Sequence, residues 1–78
     1  MRLEILTPEW NRELDGVEAV FLPGTLGEFE VLPSHAPIIS TLRTGKLRWR
    51  ISGEEESLSV RGGAVKVCRD VIQVCIEI

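Results

Sequence analysis

Residues Phe21 to Gly45 read FLPGTLGEFEVLPSHAPIISTLRTG, and three of the chain's four prolines and its only histidine lie inside this stretch. Pro23-Gly24 and Gly27 punctuate a turn, Pro33 and Pro37 bracket Ser34-His35-Ala36, and Thr44-Gly45 closes the segment. Proline fixes its own φ and pushes the residue before it toward extended geometry, so Leu22, Leu32 and Ala36 are excluded from helix. Between these corners, Glu28 to Leu32 alternates Phe29 and Val31 inward with Glu28 and Glu30 outward, and Ile38-Ile39 with Leu42 supplies another apolar piece. The stretch is therefore a set of short strands joined by stiff turns.

The flanks carry the same period of two. Toward the N-terminus, Val17 to Leu22 is β-branched and aromatic, and strict alternation places Val17, Ala19 and Phe21 on one face with Glu18, Val20 and Leu22 on the other. Arg2 to Thr7 sets Leu3 and Ile5 against Arg2 and Glu4, a half-buried strand ended by Pro8. Thr7 with Pro8 resembles a helix start, but Asp15-Gly16 signals a turn so soon afterwards that a connecting loop or single turn is expected. Toward the C-terminus, Lys46 to Ile51 alternates most cleanly, with Leu47, Trp49 and Ile51 opposed to Lys46, Arg48 and Arg50. Ser52-Gly53-Glu54-Glu55-Glu56 is expected to be a solvated hairpin tip, followed by a strand carrying Leu58 and Val60. Gly62-Gly63 predicts a bulge or a close backbone approach. Arg69-Asp70 predicts a two-residue turn that sets Val67 opposite Ile72 and Val65 opposite Val74, all on one side. The expectation is an all-β chain of about eight to ten short strands, a small β-sandwich or a closed barrel.

At 78 residues the chain suits one domain over residues 1–78, a size at which only about 60% of the unfolded surface is buried. A hydrophobic content of 44% beside 27% charged residues is too apolar for a disordered segment. No apolar run approaches the roughly 20 residues that span a bilayer, and the start MRLEILTPEW lacks a signal peptide's basic-then-apolar order, so neither membrane insertion nor export is expected. In the register of the Arg69-Asp70 turn, Cys68 lies opposite Val71 and Ala64 opposite Cys75, which separates the sulfurs too far for a disulfide. Both cysteines are expected to be buried or half-buried thiols in a reducing compartment. The net charge of −3 opposes general nucleic-acid binding.

Side-chain catalysis needs a nucleophile near a base, paired carboxylates, or three or more metal ligands. One histidine and two cysteines in Cys-x6-Cys spacing make no zinc pattern, and Gly24-Thr25-Leu26-Gly27 lacks the lysine of a phosphate loop. No catalytic, cofactor or metal site is expected. A lone His35 between prolines reads first as a loop residue satisfied by backbone hydrogen bonds. Lys46, Arg48 and Arg50 beside Trp49 raise the alternative of a small β-barrel module gripping single-stranded nucleic acid or a peptide. Alternation, however, puts Trp49 on the face opposite the cations, and the acidic Glu54-Glu55-Glu56 lies nearby, so a solvated strand face is the better reading.

Three motifs carry a resemblance: Leu22-Pro23-Gly24, then Gly27-Glu28-Phe29-Glu30-Val31-Leu32-Pro33-Ser34-His35-Ala36-Pro37, then Leu42-Arg43-Thr44-Gly45, with Val60-Arg61-Gly62-Gly63 following in order. Together they resemble the N-terminal domain of the epsilon subunits of F-type ATP synthases, over nearly the whole chain. The resemblance implies two antiparallel sheets packed face to face, and a non-catalytic subunit without cofactor. Its implied partners are the gamma subunit and the ring of c subunits in the central stalk, at the cytoplasmic face of the bacterial inner membrane. His35, Thr7 and Ser40 match positions that face gamma, and Glu28 matches an acidic residue that contacts the ring. Glu30 and Ser34 stand where the family usually has glycine. Family members usually continue into a two-helix C-terminal domain that restrains ATP hydrolysis. Here the chain ends at Ile78 after a strand, and no such domain is expected.

Overall fold

The alternating segments become nine strands in the computed structural model, which describes all 78 residues and contains no helix. They are β1 (Arg2–Leu6), β2 (Asn11–Leu14), β3 (Val17–Gly24), β4 (Gly27–Val31), β5 (Ile38–Leu42), β6 (Gly45–Ile51), β7 (Glu54–Val60), β8 (Gly62–Cys68) and β9 (Val71–Glu77). The hydrogen-bonded order is β2-β1-β9-β8-β5-β3-β6-β7, with β4 on the other edge of β3. β5 and β3 share a single register pair, Gly24 with Leu42, so the sheet folds there into two leaves, β2-β1-β9-β8-β5 and β4-β3-β6-β7. All pairs are antiparallel except β1 with β9, which run parallel because the rest of the chain connects them and no tight turn dictates direction. The result is a mixed, curled sheet of the expected all-β class.

The interior is one cluster of 15 buried side chains fed by both leaves. Two inward rows of the first leaf run straight across four strands: Leu3, Ile72, Val67, Ile38, and Ile5, Val74, Val65, Ser40. The second leaf contributes Val17, Val20, Leu22, Val31, Leu47, Trp49 and Val60. No polar or charged residue is buried, so the core is held by apolar burial alone. The β8–β9 hairpin has the expected register, Val67 opposite Ile72 and Val65 opposite Val74. Both turn residues, Arg69 (φ 51°) and Asp70 (φ 63°), lie in the left-handed region that a tight two-residue turn demands. Gly63 is the expected close approach: a Cβ there would collide with the carbonyl of Cys75 and lie 2.9 Å from the Ile76 Cα.

Four local expectations are corrected. In β3, a bulge between Val17 and Ala19 shifts the register against β6. Val17 then joins Val20 and Leu22 in the core cluster, while Phe21 turns to the outer surface beside Arg48. One inserted residue flips every later side chain, which strict alternation cannot foresee. Glu54-Glu55-Glu56 is not a hairpin tip; the turn is Ser52-Gly53, and the three glutamates begin β7 opposite Ile51, Arg50 and Trp49. The segment after Thr7 is the expected turn, but it leads into β2, whose residues are polar and exposed except for half-buried Leu14. Finally, Cys75 is exposed on the outer face and only Cys68 is half-buried.

Candidate functional site

The surface carries grooves and ion pairs, and no three His, Cys, Asp or Glu side chains gather as metal ligands would. What the molecule can do must come from the surfaces that its turns present.

The β3–β4 hairpin closes on Gly24 opposite Gly27, leaving Thr25 and Leu26 as its tip. Leu26 is fully exposed there, and Ile39 on neighbouring β5 is 80% exposed. An apolar side chain at a two-residue hairpin tip gains nothing from the fold, so a partner is the natural reason for it. Thr25 anchors the tip to β5: its amide and its hydroxyl both donate to the Thr41 carbonyl, each at 3.1 Å. Between tip and strand runs a groove of about 420 Å³ lined by Leu26, Glu28, Phe29, Ile38, Ile39 and Ser40. Two of the four candidate positions, Glu28 and Ser40, thus share one groove.

Ser40 closes the inward row that ends on Ile5, at the edge of the leaf, and its hydroxyl donates to the Thr41 carbonyl at 3.2 Å. Thr7 lies elsewhere, past the end of β1. Its hydroxyl accepts from the Trp10 amide at 2.9 Å and the Glu9 amide at 3.3 Å and donates to the Trp10 carbonyl at 2.8 Å, a local side-chain turn that reverses the chain. It lines a separate depression with Pro8, Ala64 and Cys75. His35 lines neither groove. Its amide donates to the Leu32 carbonyl at 3.1 Å, and its Nδ1 lies 2.7 Å from the Ala36 carbonyl. A carbonyl only accepts, so Nδ1 carries the proton. The loop that bears His35 is tied to the β8–β9 turn by the Ser34 amide, which donates to the Asp70 carboxylate at 2.8 Å.

The basic stripe on β6 is largely matched by carboxylates. Arg48 pairs with Glu28 at 2.9 Å and with Glu55 at 3.5 Å, and Arg50 lies 3.7 Å from Glu18. Trp49 is buried on the opposite face. A groove of free cations with an aromatic platform, which single-strand binding requires, is not what this strand offers. Composition hinted at charge compensation, but not at the arrangement: the bulge in β3 is what brings Phe21 under Arg48, at 4.5 Å from the ring centroid.

Comparison with known proteins identifies a family. Residues 1–78 match the family described as ATP synthase, Delta/Epsilon chain, beta-sandwich domain. The epsilon chain of Desulfosudis oleivorans is 41% identical over 78 residues, covering 99% of this chain and 59% of its own length. Epsilon chain 1 of Syntrophotalea carbinolica is 35% identical over 77 residues, covering 99% and 56%. This chain therefore spans little more than half the length of these curated relatives. Among solved structures, a chain of the central stalk and c-ring of the Tetrahymena thermophila mitochondrial ATP synthase superposes over all of this chain and 63% of its own, with a TM-score of 0.87 at 16% identity. That likeness is one of fold. With the family's motif order, its β-sandwich topology and a match from the first residue to the last, this chain belongs to the ATP synthase delta/epsilon family, as its epsilon-type N-terminal β-sandwich domain.

Proposed function

We propose that this chain belongs to a non-catalytic subunit of the central stalk of an F-type ATP synthase, docking on the gamma subunit and on the c-ring so that rotation is coupled to ATP synthesis. In this reading Thr7, His35 and Ser40 face gamma, and Glu28 faces the ring. The subunit acts without cofactor, as a peripheral part of the complex at the cytoplasmic face of the bacterial inner membrane. The observation that carries the reading is the exposed apolar edge formed by Leu26 and Ile39 around the groove shared by Glu28 and Ser40. It is an apolar centre with a polar rim, as docking surfaces are built.

Co-purification with the gamma subunit of the same source tests it. Wild type should be retained, and His35→Glu should weaken retention by about tenfold or more, because an interfacial carboxylate without a partner loses its hydration. A well-folded wild type that fails to bind gamma would sink the reading.

A further inference from the structure

Four strands of the outer face converge on one guanidinium. Arg48 on β6 lies opposite Phe21 on β3, and Glu28 lies two residues further along, opposite Pro23. Arg48 thus reaches diagonally across β3, with Nη2 2.9 Å from Glu28 Oε1. Its Nη1 lies 3.5 Å from Glu55 Oε1 on β7, and its Cζ lies 4.5 Å from the Phe21 ring centroid. A planar fork held by two carboxylates and an aromatic ring has little freedom left. Its side chain is 31% exposed against 54% for Glu28, so the carboxylate stands further into solvent than the group that holds it.

Charge decides which way the pair works. One guanidinium shared between two carboxylates leaves the trio with one net negative charge. Glu30, opposite Phe21 on the same outer face, and Glu18 add two more, while Lys46 and Arg50, the latter opposite Glu55 and 3.7 Å from Glu18, return two positive charges, so the face as a whole carries one net negative charge. Arg48 therefore cannot silence Glu28; the cluster still attracts a cation while the carboxylate is held in place. We propose that Arg48 is a positioning residue for Glu28, presenting its carboxylate in one orientation to a positively charged group on the docking partner. The proposal rests on the ring contact assigned above to Glu28. A carboxylate held in advance loses less conformational freedom on docking than a free glutamate.

A double-mutant cycle separates this role from a structural one. The chain, bound to its gamma subunit, is titrated onto purified c-ring from the same source as wild type, Glu28→Gln, Arg48→Gln and the double variant. Arg48→Gln is expected to weaken ring binding roughly three- to tenfold and to leave gamma binding unchanged. In the Glu28→Gln background it should add no further loss. Arg48→Lys, which keeps the charge without the fork, should recover only part of the affinity. Wild-type affinity for Arg48→Gln overturns the proposal, as does a loss that adds in full to that of Glu28→Gln. Tighter binding would mean that Arg48 competes for the carboxylate, and also overturns it. If Glu28→Gln alone binds the ring like wild type, the ring contact itself fails, and that single variant tells the two failures apart. Should Arg48→Gln not fold, Phe21→Leu, which frees the guanidinium without removing its charge, takes its place in the cycle.

Discussion

Ser34 shows how one residue can carry a conformation that suits another. Its φ of 67° is in the left-handed region, where an L side chain costs about 1–2 kcal/mol and glycine nothing. Glycine would take this backbone without that cost. Replacing Ser34 by Gly should therefore stabilise the fold by about 0.5–1 kcal/mol after the unfolded chain's added freedom is deducted. Thermal unfolding checks this, with a rise of roughly 2–8 °C expected for a domain of this size; a fall would show that the serine side chain matters in its own right. Trp49 is a second case. It is buried, and its indole N–H has no hydrogen-bond partner. Trp49→Phe removes that unsatisfied donor together with some apolar area. We expect a net loss of under about 2 kcal/mol, less than the 3–5 kcal/mol usual for truncating a buried aromatic to alanine. Denaturant unfolding measures it, and a larger loss would point to a water or a transient partner on Nε1.

At the scale of elements, the turn between β8 and β9 does more than reverse the chain. The Asp70 carboxylate accepts from the Ser34 amide in the Pro33–Pro37 loop, and the Asp70 carbonyl accepts from the Arg2 amide at the start of β1. Three separate elements meet on one residue. Asp70→Gly keeps the left-handed backbone of the turn (φ 63°) and its contact to Arg2 and removes the side-chain bond. Hydrogen exchange at the Ser34 amide should accelerate by about tenfold, corresponding to roughly 1.4 kcal/mol of lost protection, while amides of β8 and β9 stay protected. Equal acceleration throughout the hairpin would mean that the aspartate serves the turn and not the loop. Since His35 sits in this loop, the same variant should also loosen gamma binding if that contact needs a fixed loop.

For the whole molecule, both leaves share one thin core, so there is no spare interior to absorb a defect. Stability of about 0.05–0.15 kcal/mol per residue gives a chain of this length about 4–12 kcal/mol in all. Ile5 and Leu22 belong to opposite leaves and both are fully buried. Ile5→Ala or Leu22→Ala should each cost about 2–5 kcal/mol, a large part of the total, and each should destabilise both leaves together in a single denaturant transition. Two separated transitions would contradict a shared core.

Much of this was legible in the residues themselves. The Lys46–Ile51 alternation, the Arg69-Asp70 turn with its register and the Gly63 approach follow from period and turn chemistry, which are local. The motif order around Pro33–Pro37 carried the family. What local pattern could not carry was decided by pairing across the sheet. The bulge at Val17–Ala19 depends on how β3 meets β6, and so do the inversion of Phe21 and its place beneath Arg48. β2 is polar enough to read as loop and becomes a strand only because β1 offers it an edge. The glutamates of β7 read as a tip until the arginine strand lies opposite them. Alternation is written residue by residue along the chain, whereas register and the choice of neighbour are set by contacts between residues far apart in it, and only the folded molecule brings those together.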